Sequence, residues 1–399
     1  PVPGHDNDKW LDYQQVEKQL TPEQVAEYQP AFAALLQGLQ SGSDQQIMDG
    51  LRRTDALQHK YGASVLPSQA VLGAELFYNK ANIWFYTMMG LLLPSAILMI
   101  LYLVNLFRNA GRPFTWRNPV YALGMGLYLL CFAAMIVAYI ARWIASERIP
   151  ISNGHESLLF ISIAIAASGL IFDFKFRMAA PASLGAFLTA VILGVSTLST
   201  FDPAIGPLVP VLVSYWLNIH VTIITSSYGF LGLSALIGTL ILFLTLLKGP
   251  HRENVRDAIK TLDNINKHVL ITGLGLLTVG TLLGGVWANE SWGRYWGWDA
   301  KETWSLITIL VYAVVLHFRW IPAMRSVWLN SAASLAAVSS VVMTYFGVNY
   351  FLTGLHSYAQ GDAAKVPDWV FIGTGLIIAL ITVSGIVNKT RSWGDKKAA

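Results

Sequence analysis

The chain is expected to be an all-α polytopic membrane protein, with about nine transmembrane helices and a small helical segment at its amino end on the outer face. Three observations predict this. The 399 residues are 54% hydrophobic and only 13% charged, against roughly 25% charged in soluble domains. Apolar runs of about the twenty residues that cross a bilayer recur at 83–107, 119–144, 157–173, 179–197, 220–247, 268–288, 302–320, 328–350 and 369–387. Lysine and arginine concentrate on alternate loops, as the positive-inside rule requires of a multi-pass chain.

Residues 1–82 form a polar prelude. Thr21 precedes Pro22-Glu23-Gln24, which sets an N-cap, a proline at the first helical position and a glutamine at the capping-box position. A second helix is expected from Ser43 to Lys60, and Ala74–Lys80 leads into the first span. The expected organisation is an outer segment 1–82, a transmembrane domain 83–388 and an inner tail 389–399. The third and fourth apolar runs are short.

Arg108, Arg112, Arg117, Lys175, Arg177, Lys248, Arg252 and Arg256 belong to the basic set of loops, which is assigned inside. The amino-terminal segment, the loops 198–219 and 351–368 and the tryptophan-rich stretch then face outside, and the carboxyl end faces in. Residues 249–267 form the longest inner loop and look amphipathic. No internal repeat or low-complexity tract is visible. The chain opens on Pro1 without a signal-peptide core in its first 82 residues, so a preceding piece is expected, whether removed or continuous with it.

The net charge of +4 follows from the loop bias and points to a lipid bilayer and not to nucleic acid as the partner surface. Cys131 is the single cysteine and lies in an apolar run. It supports neither a disulfide framework nor a redox pair nor a zinc site. Any thiol chemistry must use a partner's sulfurs.

Residues 287–304 gather Trp287, Trp292, Trp296, Trp298 and Trp304 among glycines between two apolar runs. An interfacial aromatic belt scatters one or two tryptophans per helix end and does not need the glycines. Large flat π-faces with little aliphatic bulk suit a planar ligand such as a porphyrin. Asp299 and Glu302 have the spacing of a catalytic pair and also of a helix capping box; the cap is favoured. Arg294 and Lys301 either neutralise ligand carboxylates or serve the surface.

His220, where loop 198–219 enters the fifth span, and His356, in the loop after the eighth, flank the tryptophans in sequence on the same side. Two neutral imidazoles approaching opposite faces of a porphyrin would ligate its iron. His317 lies in the seventh span near its inner end, either as a helix-packing residue or as a site residue, because ionisable groups there are costly. His268 opens the sixth span and either shares that site or snorkels. His155 is expected in an outer turn, as a loop residue first and a site residue second. His5, His59 and His251 are expected to be solvated.

Trp292-Gly-Arg-Tyr-Trp-Gly-Trp-Asp299 with Lys301-Glu-Thr-Trp304 resembles the "WWD" signature of haem-handling proteins. Ser214–His220, Val315–Arg319 and Gly347–Tyr350 with His356-Ser-Tyr358 make the chain similar to the CcsA (ResC) component of system II cytochrome c biogenesis. Leu66-Pro-Ser and Ala74–Lys80 resemble the end of the outer domain of a CcsB-type partner or a fused CcsBA synthase. The resemblance covers about 65–360.

It implies a holocytochrome c synthase of a bacterial inner membrane. Ferrous haem b is carried from the cytoplasm, held outside and joined to the Cys-x-x-Cys-His motif of an apocytochrome c whose thiols are kept reduced by thiol reductants. By match, His220 and His356 are the outer axial ligands and the residues of the catalytic site, with Trp287, Trp292, Trp296, Trp298, Asp299 and Trp304 as haem contacts. His317 is an intramembrane ligand whose partner histidine lies in the CcsB-like (ResB-like) half, mostly absent here. His155 inherits no role. Two rivals use overlapping residues: a haem exporter or chaperone without ligation activity, and a b-type electron-transfer subunit. A small-solute transporter is disfavoured, because no inverted repeat is visible.

Overall fold

A computed structural model describes residues 2–3, 10–63, 66–108, 112–198, 201–206, 208, 210–352, 354, 366 and 368–393. His356 lies outside the described residues. The chain divides into two compact units, Pro1–Ala74 and Glu75–Ala399.

The first unit holds a short antiparallel pair, β1 (Val2–Pro3) and β2 (Trp10–Leu11), and helices α1 (Tyr13–Gln19), α2 (Pro22–Ser41) and α3 (Asp44–Gly62). Thr21 accepts from Gln24 N and the Gln24 side chain returns to Thr21 N, so the capping box forms as its spacing predicts. Leu11, Val16, Tyr28, Ala31 and Leu57 make a small core.

Helix α4 (Gln69–Ala81) leads into α5 (Ile83–Arg108), α6 (Pro119–Ser146), α7 (Gly154–Phe176), α8 (Ala180–Ser196), α9 (Tyr215–Leu246) and α10 (Glu253–Trp292). Then come α11 (Ala300–His317), α12 (Val327–Val342), a π-helical stretch Met343–Gly347, α13 (Val348–Phe351) and α14 (Asp368–Thr390). Among the described residues, eight helices are long and apolar enough to cross a membrane. The fourth expected span is α8, an apolar helix shorter than these. The chain is an all-α polytopic membrane protein.

Helices α7 and α9 are the centre of the bundle, with 78% and 67% of their apolar windows buried, whereas α14 has 11% buried. With lipid on one side and protein on the other, both sides apolar, contact is decided by close backbone approach and polar bonds. Both occur here. A Cβ on Gly280 would lie 2.9 Å from Ile224 N, so α10 meets the backbone of α9. Ser234 Oγ donates to Asn266 Oδ1 at 2.6 Å, and Asn266 Nδ2 donates to Ser334 Oγ at 3.1 Å. These bonds tie α9, α10 and α12 through side chains that lipid could not satisfy.

At the basic end, Arg319 makes a bidentate pair with Asp263, both N–O distances 2.7 Å. At the tryptophan end, buried Arg142 donates to Glu156 Oε1 at 2.9 Å, to Pro203 O at 3.0 Å and to the Tyr78 hydroxyl at 3.2 Å. Arg148 donates to Glu156 Oε2 at 3.0 Å and to Gly206 O at 3.1 Å. One buried carboxylate thereby holds two arginines, and they anchor part of the loop after α8.

Three expectations need correction. Residues from Glu253 onward are not loop: they begin α10, a helix of 40 residues, whose amphipathic first half packs Val255, Ala258, Ile259 and Leu262 into the core. The tryptophan stretch is mostly helical, and only Gly293–Asp299 lies between α10 and α11. Asn289-Glu290-Ser291 continues the helix until Gly293, at φ +69°, closes it by donating its N–H to Asn289 O at 2.9 Å. His155 is not a loop residue: capped by Asn153, the first turn of α7 carries it, and it is buried with Nδ1 3.0 Å from Ser196 O.

Candidate haem-handling site

His220 lies in the second turn of α9, and its Nδ1 is 2.7 Å from Gly280 O on α10. A carbonyl can only accept, so Nδ1 carries the proton, and in the neutral ring Nε2 has the lone pair. That is the tautomer an iron requires. The ring lies nearly parallel to the indole of Trp287, at 7° with centroids 6.4 Å apart. Gly284 makes the arrangement possible, since a Cβ there would lie 2.6 Å from His220 Cε1. Gly280-Thr-Leu-Leu-Gly284 has the small-xxx-small spacing of close helix pairs, a signal present in the sequence.

Four of the tryptophans form two edge-on pairs. Trp287 is 1% exposed and meets Trp292 edge-on at 4.8 Å. Trp296 and Trp298 meet edge-on at 5.7 Å. Trp298 is 69% exposed and has φ +58°. The Trp296 Nε1–H is buried with no hydrogen-bond partner among the described residues. So Trp287 is a support beneath His220, and the open π-face belongs to the loop. Trp304 faces neither group by any described ring contact; its carbonyl accepts from Thr308 at 2.8 Å and Thr344 at 3.2 Å.

Asp299 caps α11: its side chain accepts from Glu302 N at 2.9 Å, and Glu302 Oε2 accepts from Asp299 N at 3.3 Å. The capping box forms, as the spacing suggests, through one oxygen of each carboxylate. Helix α11 is strapped to the chain before His356. Lys301 Nζ donates to Asn349 Oδ1 at 2.9 Å, and the Thr308 and Thr344 hydroxyls are 2.8 Å apart. The π-helical turn shifts the register between Thr344 and Asn349, as such turns do at functional sites. A Cβ on Gly354, two residues before His356 in sequence, would lie 3.6 Å from Asp299 Oδ2.

His317 is elsewhere. It is the last residue of α11, exposed, with Nδ1 2.6 Å from Ala313 O and its ring edge-on to Trp320 at 4.7 Å. His268 is also exposed, with Nδ1 2.8 Å from Asn264 O and Phe176 at 5.8 Å. Along α10, Asp263 (bound to Arg319) and Gly280 (bound to His220) are separated by about 25 Å at 1.5 Å per residue. His59 and His251 are exposed, and His5 lies outside the described residues.

Comparison with known proteins gives the family. Residues 151–356 match the model of the cytochrome c assembly protein family. The chain is 38% identical over 365 residues to Protein NrfI of Wolinella succinogenes, covering 91% of this chain but 40% of that one. It is 34% identical to the cytochrome c biogenesis protein CcsA of Guillardia theta, over 62% of this chain and 89% of the relative. The CcsA of Crocosphaera subtropica is 30% identical, with 67% and 96% covered. Because the family model covers about half of the chain and the two CcsA chains align at 30% identity or more over 89% and 96% of their length, the chain belongs to the cytochrome c assembly protein family and is of the CcsA type.

Proposed function

We propose that this chain presents haem for covalent attachment to apocytochrome c, as part of a system II synthase whose other half is CcsB-like. The observation that carries it is His220: Nδ1 bound to Gly280 O on α10 and the ring parallel to Trp287 of the same helix, which runs on into the tryptophan loop between α10 and α11. Haem is the cargo and substrate, ferrous haem b. His220 would supply one axial ligand and His356 the other, with Trp292, Trp296 and Trp298 against the macrocycle and Trp287, Asp299 and Trp304 holding the frame.

The reaction asks little acid–base work of the protein. Each substrate thiol adds across a vinyl group: sulfur bonds to the carbon next to the ring, and the thiol hydrogen goes to the terminal carbon. No oxidant or reductant is consumed in the addition itself. The chain's contribution is to hold the haem edge in one orientation and to keep both axial positions filled, which converts an encounter between two thiols and a free haem into a positioned reaction. The substrate's own histidine then displaces one protein imidazole and frees the product.

The tryptophan end would lie outside and the basic end in the cytoplasm of a bacterial inner membrane, in keeping with the charge bias. His317, at the basic end, would hold haem on entry together with a histidine from the CcsB-like half. Protein co-produced with that half in haem-replete cells should carry non-covalent haem by the pyridine haemochrome assay, and should yield haem covalently bound to a Cys-x-x-Cys-His peptide. Haem without covalent product would leave an exporter; absence of haem would end the proposal.

A further inference from the structure

The turn between α10 and α11 has an unusual centre. Trp298 adopts the left-handed backbone region, at φ +58°, which is uncommon for a bulky side chain. The next residue, Asp299, is extended at φ −70° and ψ 169° as the N-cap of α11. Something must hold Trp298 there. Glu302 is 9% exposed, and its Oε2 accepts the Gly297 N–H at 2.6 Å and the Asp299 N–H at 3.3 Å. These two donors flank Trp298.

The second oxygen of the same carboxylate is engaged differently. Glu302 Oε1 is 4.0 Å from Arg294 Nη1, and both atoms are buried without a hydrogen-bond partner among the described residues. The guanidinium lies 6.0 Å over the Trp292 ring and rests on the Cα of Gly297, where a Cβ would fall 1.0 Å from Arg294 Nη1. Any side chain at 297 would displace the guanidinium from this place. One carboxylate thus gathers two backbone donors and one cation from three places in a turn that displays Trp298 at 69% exposure. A capping box alone needs only the Asp299 bond; the Gly297 bond and the arginine are additional.

We infer that Glu302 is the positioning residue of the tryptophan loop: by bridging Gly297 N–H, Asp299 N–H and the Arg294 guanidinium it fixes Trp298 in the left-handed conformation that presents its indole to the planar cargo. This rests on the haem-handling proposal for what Trp298 meets, but not for how Trp298 is held. Glu302 itself does not touch the cargo.

The test labels the full chain, co-produced with its CcsB-like half, with 5-fluorotryptophan and records fluorine spectra. Trp298→Phe assigns the Trp298 signal, and Trp84→Phe assigns a signal in α5 as a control. In Glu302→Ala the Trp298 signal should move and broaden while the Trp84 signal stays. Retained haem should fall about tenfold, the scale for losing a bond to a charged acceptor. Glu302→Gln keeps one acceptor oxygen but not the charge, so it should show an intermediate shift and intermediate haem. If Glu302→Ala fails to accumulate, Glu302→Gln decides alone. An unmoved Trp298 signal in the variants that accumulate overturns the inference. If the wild-type protein carries no haem, the haem-handling proposal fails, while the fluorine comparison still decides whether Glu302 holds Trp298.

Discussion

At the scale of single residues, the chemistry of His220 is set by two glycines that carry no functional group. Gly280 supplies the carbonyl that fixes the tautomer, and Gly284 leaves the space the ring fills. Replacing Gly284 by alanine would put a methyl 2.6 Å from His220 Cε1, far inside van der Waals contact, so the ring must move. Gly284→Ala should therefore lose outer haem as fully as His220→Ala, with the protein still inserted in the membrane. Added imidazole should restore haem to His220→Ala, where a site is vacated, and not to Gly284→Ala, where the displaced ring still crowds it. Haemochrome assays on both variants, with and without imidazole, check this; equal rescue would mean that Gly284 acts otherwise than through the ring. His155→Ala is the contrast. It removes a buried bond to Ser196 O, costing about 1 kcal/mol of stability, and should leave the haem spectrum unchanged.

At the scale of elements, helices bound by lipid are held by the few polar bonds between them. Asn266 is buried and links Ser234 of α9 to Ser334 of α12. Asn266→Ala should cost about 1 kcal/mol, read as a lower midpoint in detergent-induced unfolding; no change would assign the cohesion to glycine contacts alone. Eight of the nine expected spans were legible from the sequence, because about twenty apolar residues in a row admit one solution in a bilayer. What was not legible lay where apolar content stops being the signal. Residues 253–267 are polar enough to read as loop, yet fold as the first turns of α10 because one stripe packs on the core. Trp287 and Trp292 look like loop aromatics but belong to a helix that only Gly293 ends. The Asp299 cap was visible in local spacing; the Gly297 N–H bond to Glu302 was not, since it depends on a left-handed Trp298 that no propensity favours. His155 was misplaced because its partner, Ser196, is 41 residues away.

At the scale of the whole molecule, the long helix α10 acts as a ruler. Arg319, two residues after His317, is fastened to Asp263, while His220 is fastened to Gly280, and the intervening stretch of helix spans about 25 Å. An imidazole reaches only a few ångströms, so one haem cannot be bound by His317 and His220 together. If both handle haem, they do so at two stations along one route, and the stations need not be equal. His317 at the basic end is expected to load first, and the tryptophan end to receive. His317→Ala should then lower haem at both stations and reduce cytochrome c maturation severely, whereas His220→Ala should leave the inner haem in place and abolish only the outer one. Haem stoichiometry with reduced-minus-oxidised spectra for each variant, at matched amounts of protein in the membrane, separates the two. Full haem occupancy and full synthase activity in His317→Ala would leave His317 as a helix-end residue packed on Trp320, with the outer station supplied by another path.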